Sequence, residues 1–215
     1  MSSTIHLTYY YMFYPNSRLE KKLLKKGFQL IAGLDEAGKG AWAGPIVAAA
    51  VILPAKIKIK GVKDSKLLRR PQRQRIFEEI LSVAQAFGVG RVEAQEIDQI
   101  GISQANQLAM KLALEKLNLQ PDYLLIDALN FNFKNLPISA IIDGDYKIRL
   151  IAAASIIAKV SRDQMMDDLD QNFPQYGFKQ HKGYGTNQHF QMILKYGLSE
   201  LHRKTWEPMK HFLNG

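Results

Sequence analysis

A chain of 215 residues with 47% apolar content is long enough to bury one substantial core. It contains no cysteine, which excludes disulfides, thiolate metal sites and cysteine nucleophiles and leaves oxygen ligands and histidine for metal chemistry. The formal charge of +9 favours a polyanionic partner, and it is concentrated: Lys56 to Arg75 carries nine Lys or Arg against one Asp.

The opening "MSSTIHLTYYYMFYPNSRLEKKLLKKGF" lacks the basic-then-apolar order of an export signal. The run "IVAAAVIL" stops at eight residues, well short of the ~18–20 of a membrane helix. A soluble, cytoplasmic protein without membrane contact is the expectation. Residues 17–27 read as a short amphipathic helix, with Leu19, Leu23 and Leu24 on one side. "QLIAGLD" (29–35) is a strand, and "PIVAAAVILP" is a second one, paired antiparallel to it and apolar enough to be buried on both faces. "PQRQRIFEEILSVA" has helical spacing at Ile76, Ile80 and Val83, with Pro71 suited to its first turn.

"FGVGRVE" is a short strand with permissive glycines, and 95–117 is a helix with a break near Gly101. "DYLLIDA" reads as a central parallel strand ending on Asp127, and "ISAIID" as another strand stopping before Gly144 and Asp145. "LIAAASIIAKVSRDQMMDDLDQ" is a long helix whose small residues permit close approach to a sheet. The pattern predicts an α/β domain over 29–170, preceded by an N-terminal extension (1–28) and followed by a helical C-terminal extension (171–215) with a helix near 187–196.

Asp35, Glu36, Asp127 and Asp145 all follow apolar strands, the positions from which an open sheet builds a site. A lone carboxylate at a strand end is most often a turn former or helix cap; several together suit a hard divalent cation such as Mg²⁺ or Mn²⁺. Asp35 and Glu36 pose a difficulty, because neighbours on a regular strand point to opposite faces. Both serve one site only if the strand ends or distorts there, or if Glu36 reaches in from the turn. Gly38 and Gly40 flank Lys39 and offer bare backbone to a nucleic-acid strand; "GLDEAGKG" matches neither G-x-G-x-x-G nor a Walker A motif.

"KDSK" (63–66) and "KQHKGYGT" (179–186) supply Ser65, Lys66 and Lys182 as phosphate donors and Tyr184 as a stacking ring. His181, His189, His202 and His211 are too scattered to argue for zinc. His202–Arg203–Lys204 reads as a phosphate contact or a capped surface turn. These residues point to metal-dependent phosphodiester hydrolysis and leave DNA, RNA and hybrid substrates open.

"GLDEAGKGAWAGPIVAAAVIL" resembles the N-terminal signature of bacterial ribonuclease HII. The resemblance continues through "VKDSKLL", "LLIDA", "IIDGDYK", "IAAASIIAKVSRD", "YGFKQHKGYGTNQH" and "LHRKTWEP", about residues 30–208. It implies a ribonuclease H-like fold, with a mixed sheet flanked by helices and a C-terminal helical extension. It implies cleavage of the RNA strand of RNA–DNA hybrids and incision of DNA on the 5′ side of embedded ribonucleotides, leaving 3′-hydroxyl and 5′-phosphate ends. By the same resemblance, Asp35, Glu36, Asp127 and Asp145 are the catalytic metal ligands for two Mg²⁺ or Mn²⁺ ions. The resemblance also implies that Gly38, Lys39 and Gly40 contact the ribose 2′-hydroxyl and that Tyr184 recognises the ribonucleotide–deoxyribonucleotide junction; separately, a monomer is the expectation. The sequence departs from the family at Lys39, where arginine is common, and at Ala128, where glycine often follows the third acidic residue. Two other readings compete: another metal-dependent nuclease of the same core, and a non-catalytic nucleic-acid-binding protein using the basic run.

Overall fold

The computed structural model describes residues 15–57, 59–62 and 65–212. Their elements, in order, are α1 (Arg18–Lys25), β1 (Ile31–Ala37), β2 (Ile46–Ile52), a 3-10 turn (Ser65–Leu67), α2 (Arg70–Val83), β3 (Ala86–Val92), α3 (Ala94–Ile100) and α4 (Ile102–Glu115). There follow β4 (Tyr123–Asp127), β5 (Ile138–Ile141), α5 (Gly144–Lys147), α6 (Arg149–Asn172), a 3-10 turn (Pro174–Tyr176), α7 (Phe178–His181), α8 (Asn187–Tyr196) and α9 (Glu207–Lys210). The segment "TYYYMFYPN" and the pair Lys63–Asp64 of the "KDSK" motif lie wholly or largely outside the described residues.

The sheet has five strands in the order β3-β2-β1-β4-β5. β2 runs antiparallel to both β1 and β3, whereas β4 is parallel to β1 and β5, so the sheet is mixed. This is the ribonuclease H-like architecture expected, with its helical C-terminal extension. Every residue of β2 is buried, as its unbroken apolar run requires. One face of the sheet, with Ala49, Val51 and Leu125, packs on α2 and α6; the other, with Leu34, Ala48 and Ile126, packs on α3 and α4.

Two close approaches explain glycines inside strands. A Cβ at Gly33 collides with the Leu150 backbone, so β1 lies directly against the start of α6. At Gly88 and Gly90 a Cβ meets the carbonyls of Ala113 and Ala109, so these β3 glycines admit α4 and are not there to permit flexibility. Gly101 (φ 81°) separates α3 from α4, the break expected within 95–117.

The C-terminal segment has a small core of its own, with Tyr176, Phe178 and Leu201 packed on Met166 of α6 and Ala43 of the β1–β2 loop. Backbone bonds fasten it to that loop: Trp42 N–H donates to the Gly183 carbonyl (2.8 Å), Gly44 N–H to that of Leu201 (2.8 Å), and Arg203 N–H to that of Trp42 (2.8 Å). No described helix is long and apolar enough to cross a membrane.

Candidate active site

Because β1 and β4 are parallel neighbours with Leu34 opposite Ile126, the next residues, Asp35 and Asp127, leave the sheet side by side. Period-two alternation puts Asp35 on the α6 face together with Asp127, and Glu36 on the α4 face. β5 delivers the third carboxylate through a tight connection: Asp143 adopts a left-handed φ of 55°, and Asp145 follows in the first turn of α5. Asp127 accepts a bond from Gly144 N–H at 2.8 Å, which locks α5 onto the end of β4. Oxygens of Asp35, Asp127 and Asp145 all lie within 4.8 Å of one another.

Glu36 is not one of those three. β1 continues in regular register through Ala37, opposite Val47, so the strand neither ends nor distorts at the carboxylate pair. Glu36 still feels the cluster. Burial pushes its carboxyl above the usual range and Asp127 adds to this, while Lys39, Lys66 and the Asn106 amide favour the ionised form. Asn106, on α4, is buried and, among the described residues, neither of its side-chain polar atoms has a partner in hydrogen-bonding geometry.

Burial also drives Asp35 well above the ordinary carboxylate range, reinforced by Glu36 and Asp127. Opposing this are a hydrogen bond from Ser155 and the Glu36 N–H at 2.8 Å. Three carboxylates so close, two of them buried, are unfavourable alone and fit a hard divalent cation, whose charge and preference for oxygen donors answer both features.

Beside the carboxylates opens a cleft of about 580 Å³, lined by Glu36, Ala37, Gly38, Lys39, Gly40, Ser65, Lys66, Arg73, Ser155, Lys159 and Tyr184. The glycine loop, Ser65, Lys66 and Tyr184 thus share one surface, although they come from three distant parts of the sequence. Lys66 is exposed and its Nζ is 3.8 Å from Asp145. Tyr184 is half-buried, with Arg162 at 5.1 Å and Lys159 at 5.4 Å over its ring.

Two expected phosphate donors are placed otherwise. Lys182 is buried, does not line the cleft and pairs its ammonium with Asp167, because its left-handed backbone (φ 54°) turns it inward. Ser65 is buried too, with its hydroxyl 3.0 Å from that of Ser155; it supports Asp35 through Ser155 and is not a free donor. His202 and Arg203 are buried, so neither forms a surface turn or a phosphate contact. The scattered histidines converge: His181 stacks on His189 at 4.3 Å, and His189 Nε2 is 3.1 Å from His202 Nε2.

Several further contributors lie outside the set expected from the sequence. Arg73 lines the cleft and holds the Ser65–Leu67 turn by donating to the carbonyls of Ser65 and Leu68 (3.0 Å each) and to Asp163 (3.0 Å). Arg162 and Arg203 lie wholly buried under the glycine loop. A Cβ at Gly38 (φ 89°) collides with the Arg162 guanidinium, so glycine is required there on two counts. The spacing S-x-x-x-K-x-x-R-D in α6, Ser155 to Asp163, was the legible trace of this set, since i and i+4 share a helix face.

A family model described as Ribonuclease HII matches residues 32–209. The ribonuclease HII of Dehalococcoides mccartyi is 49% identical over 203 residues, covering 93% of this chain and 96% of that one. That of Desulfitobacterium hafniense is 47% identical over 197 residues, covering 92% and 76%. Among solved structures, the ribonuclease H2 of Pyrococcus horikoshii superposes with a TM-score of 0.74 at 27% identity, covering 86% of this chain and 98% of that one. The ribonuclease HII of Archaeoglobus fulgidus, solved with PCNA, gives 0.70 at 28% identity, covering 83% and 95%.

Proposed function

This chain belongs to the ribonuclease HII family, whose activity is metal-dependent endonucleolytic cleavage of RNA in RNA–DNA hybrids, and from that premise we propose that it also incises DNA duplexes on the 5′ side of embedded ribonucleotides. The observation that carries this reading is the adjacency of the Asp35–Asp127–Asp145 cluster to a cleft lined by the Gly38–Gly40 backbone.

Asp35, Asp127 and Asp145 would hold the divalent metal, Mg²⁺ or Mn²⁺, and Glu36, which lines the cleft beside them, would complete the donor set for a second ion. When bound, the ions supply Lewis-acid polarisation of the scissile phosphate and neutralise its charge. Ser155 and the Glu36 N–H orient Asp35 for this task, and Gly144 N–H orients Asp127. Lys39, Lys66, Arg73 and Lys159 give the cleft the charge to seat a phosphate backbone.

The Gly38–Gly40 backbone meets the ribose 2′-hydroxyl, the group that distinguishes RNA from DNA, and Tyr184 packs on the neighbouring deoxyribose. Net hydrolysis leaves a 3′-hydroxyl and a 5′-phosphate. The protein works as a monomer in the cytoplasm.

The test is cleavage of a duplex carrying one ribonucleotide beside its all-DNA counterpart, with Mg²⁺, Mn²⁺ or chelator. Metal-dependent incision of the first alone is expected, whereas equal cutting of both would sink the ribonucleotide reading. Asp35→Asn and Asp127→Asn should each lower the rate at least ~10³-fold while leaving duplex binding within a few-fold.

A further inference from the structure

We propose that Arg203, from the C-terminal segment, is a positioning residue for ribose recognition: it fixes the peptide plane between Lys39 and Gly40. The proposal rests on the reading of residues 38–40 as the ribose-contacting backbone.

Arg203 is fully buried, and its donors go to the β1–β2 loop. Nη1 donates to the Lys39 carbonyl (2.9 Å), and Nε and Nη2 donate to that of Gly44 (3.1 and 2.9 Å). Beside it, Arg162 donates to the carbonyls of Pro45 (2.9 Å), Ala43 (3.2 Å) and Lys182 (2.9 Å). Among the described residues, neither guanidinium has a carboxylate within salt-bridge distance. Two buried cations answered by carbonyls, and for Arg162 also by the Tyr184 ring, make costly glue, since apolar side chains of similar volume would fill the space without a desolvation penalty. What the guanidiniums provide, and an apolar filling does not, is direction.

In a trans peptide the C=O and the following N–H point in opposite senses. Holding the Lys39 carbonyl down on buried Arg203 therefore turns the Gly40 N–H away from the core. Lys39 and Gly40 are exposed on that outer side, where both line the cleft. Flipping this peptide rotates ψ of Lys39 and φ of Gly40; with no Cβ at 40 the C-terminal side offers little steric resistance, so the restraint falls to the partner of the Lys39 carbonyl. The segment carrying Arg203 is itself fastened. Asp98 of α3 accepts bonds from Lys204 N–H (2.8 Å) and from the Thr205 N–H and hydroxyl (2.9 and 2.7 Å), and Ala43 bridges to His202.

The experiment compares equilibrium binding, in chelator, of a duplex with one ribonucleotide and the same all-DNA duplex. For R203K we expect the preference for the ribonucleotide to fall about tenfold, with all-DNA affinity within about twofold of the unmodified chain and kcat/KM on the ribonucleotide duplex down ~10²-fold. A merely structural role would weaken both duplexes together. That result, or an undiminished preference, overturns the proposal. D98A leaves the buried cation in place and loosens only its segment, so it reads the same quantity if R203K fails to fold. A loss of about threefold or more is expected there, and an unchanged preference in D98A also overturns the proposal. If the unmodified chain shows no preference, the reading of residues 38–40 fails first and the proposal falls with it; if it prefers the ribonucleotide and R203K does so equally, only the proposal fails.

Discussion

At the scale of single residues, Asp35 and Glu36 show how strand parity divides the labour of an acidic pair. Asp35 shares a face with Asp127 and Asp145, while Glu36 stands across the strand beside Asn106 and Lys39. The four acids were legible from their positions after apolar strands; that they gather as three plus one was not, because this depends on β1 keeping its register through Ala37. Asp35 is desolvated among like charges, so Asp35→Asn should raise metal-free stability by ~1–2 kcal/mol while abolishing cleavage, as melting in chelator will show. Ala128 is a second such residue. It takes the place of the family's frequent glycine and sits at φ 22°, on the positive side where a side chain is strained. Ala→Gly at an ordinary site costs ~1 kcal/mol; Ala128→Gly should cost less than ~0.5 kcal/mol or stabilise, a difference that denaturant midpoints resolve.

Among the elements, α6 and the segment after it carry what sequence reading found hardest. The helix itself was plain from its small-residue pattern, yet the partners through which Ser155 and Arg162 on it serve the site, Asp35 and Ser65 for the first and Ala43 and Pro45 for the second, lie 90 residues or more away in the chain. The histidines of the C-terminal segment are a similar case. They are far apart in sequence, but α7, α8 and the 199–202 turn stack them, and burial pushes His189 from 6.5 to about 3 and His202 from 6.5 to about 4. Both values lie below the unfolded one, so the unfolded chain binds more protons in acid. The stabilisation is complete above pH ~6.5 and is lost as pH falls toward the folded values, by about 3 kcal/mol for His202 near pH 4. Melting temperature should drop across this window, and the imidazole NMR signals of both residues should keep their neutral-form shifts down to pH ~5.

For the molecule as a whole, a chain of net charge +9 encloses a site of converging carboxylates. The positive exterior draws a polyanion in, and the negative centre is completed by cations. Millimolar Mg²⁺ or Mn²⁺ should therefore raise the melting temperature of the unmodified chain, and this rise should vanish in Asp127→Asn. Hydrophobic patterning disclosed an α/β domain and the strand-end acids disclosed metal chemistry, while the ribonuclease H-like fold came from the resemblance of the motifs. The internal clamp escaped because Lys39 and Arg203 are 164 residues apart and nothing in either neighbourhood names the other.

That separation sets an order of assembly during synthesis. Asp35, Asp127 and Asp145 are all synthesised before Arg203, whose guanidinium donates to the Lys39 carbonyl. A contact of such range is among the slowest to close. The bond from Arg203 to the Lys39 carbonyl therefore closes after the local turns and helices, and the proposed clamp on residues 38–40 is set late in folding.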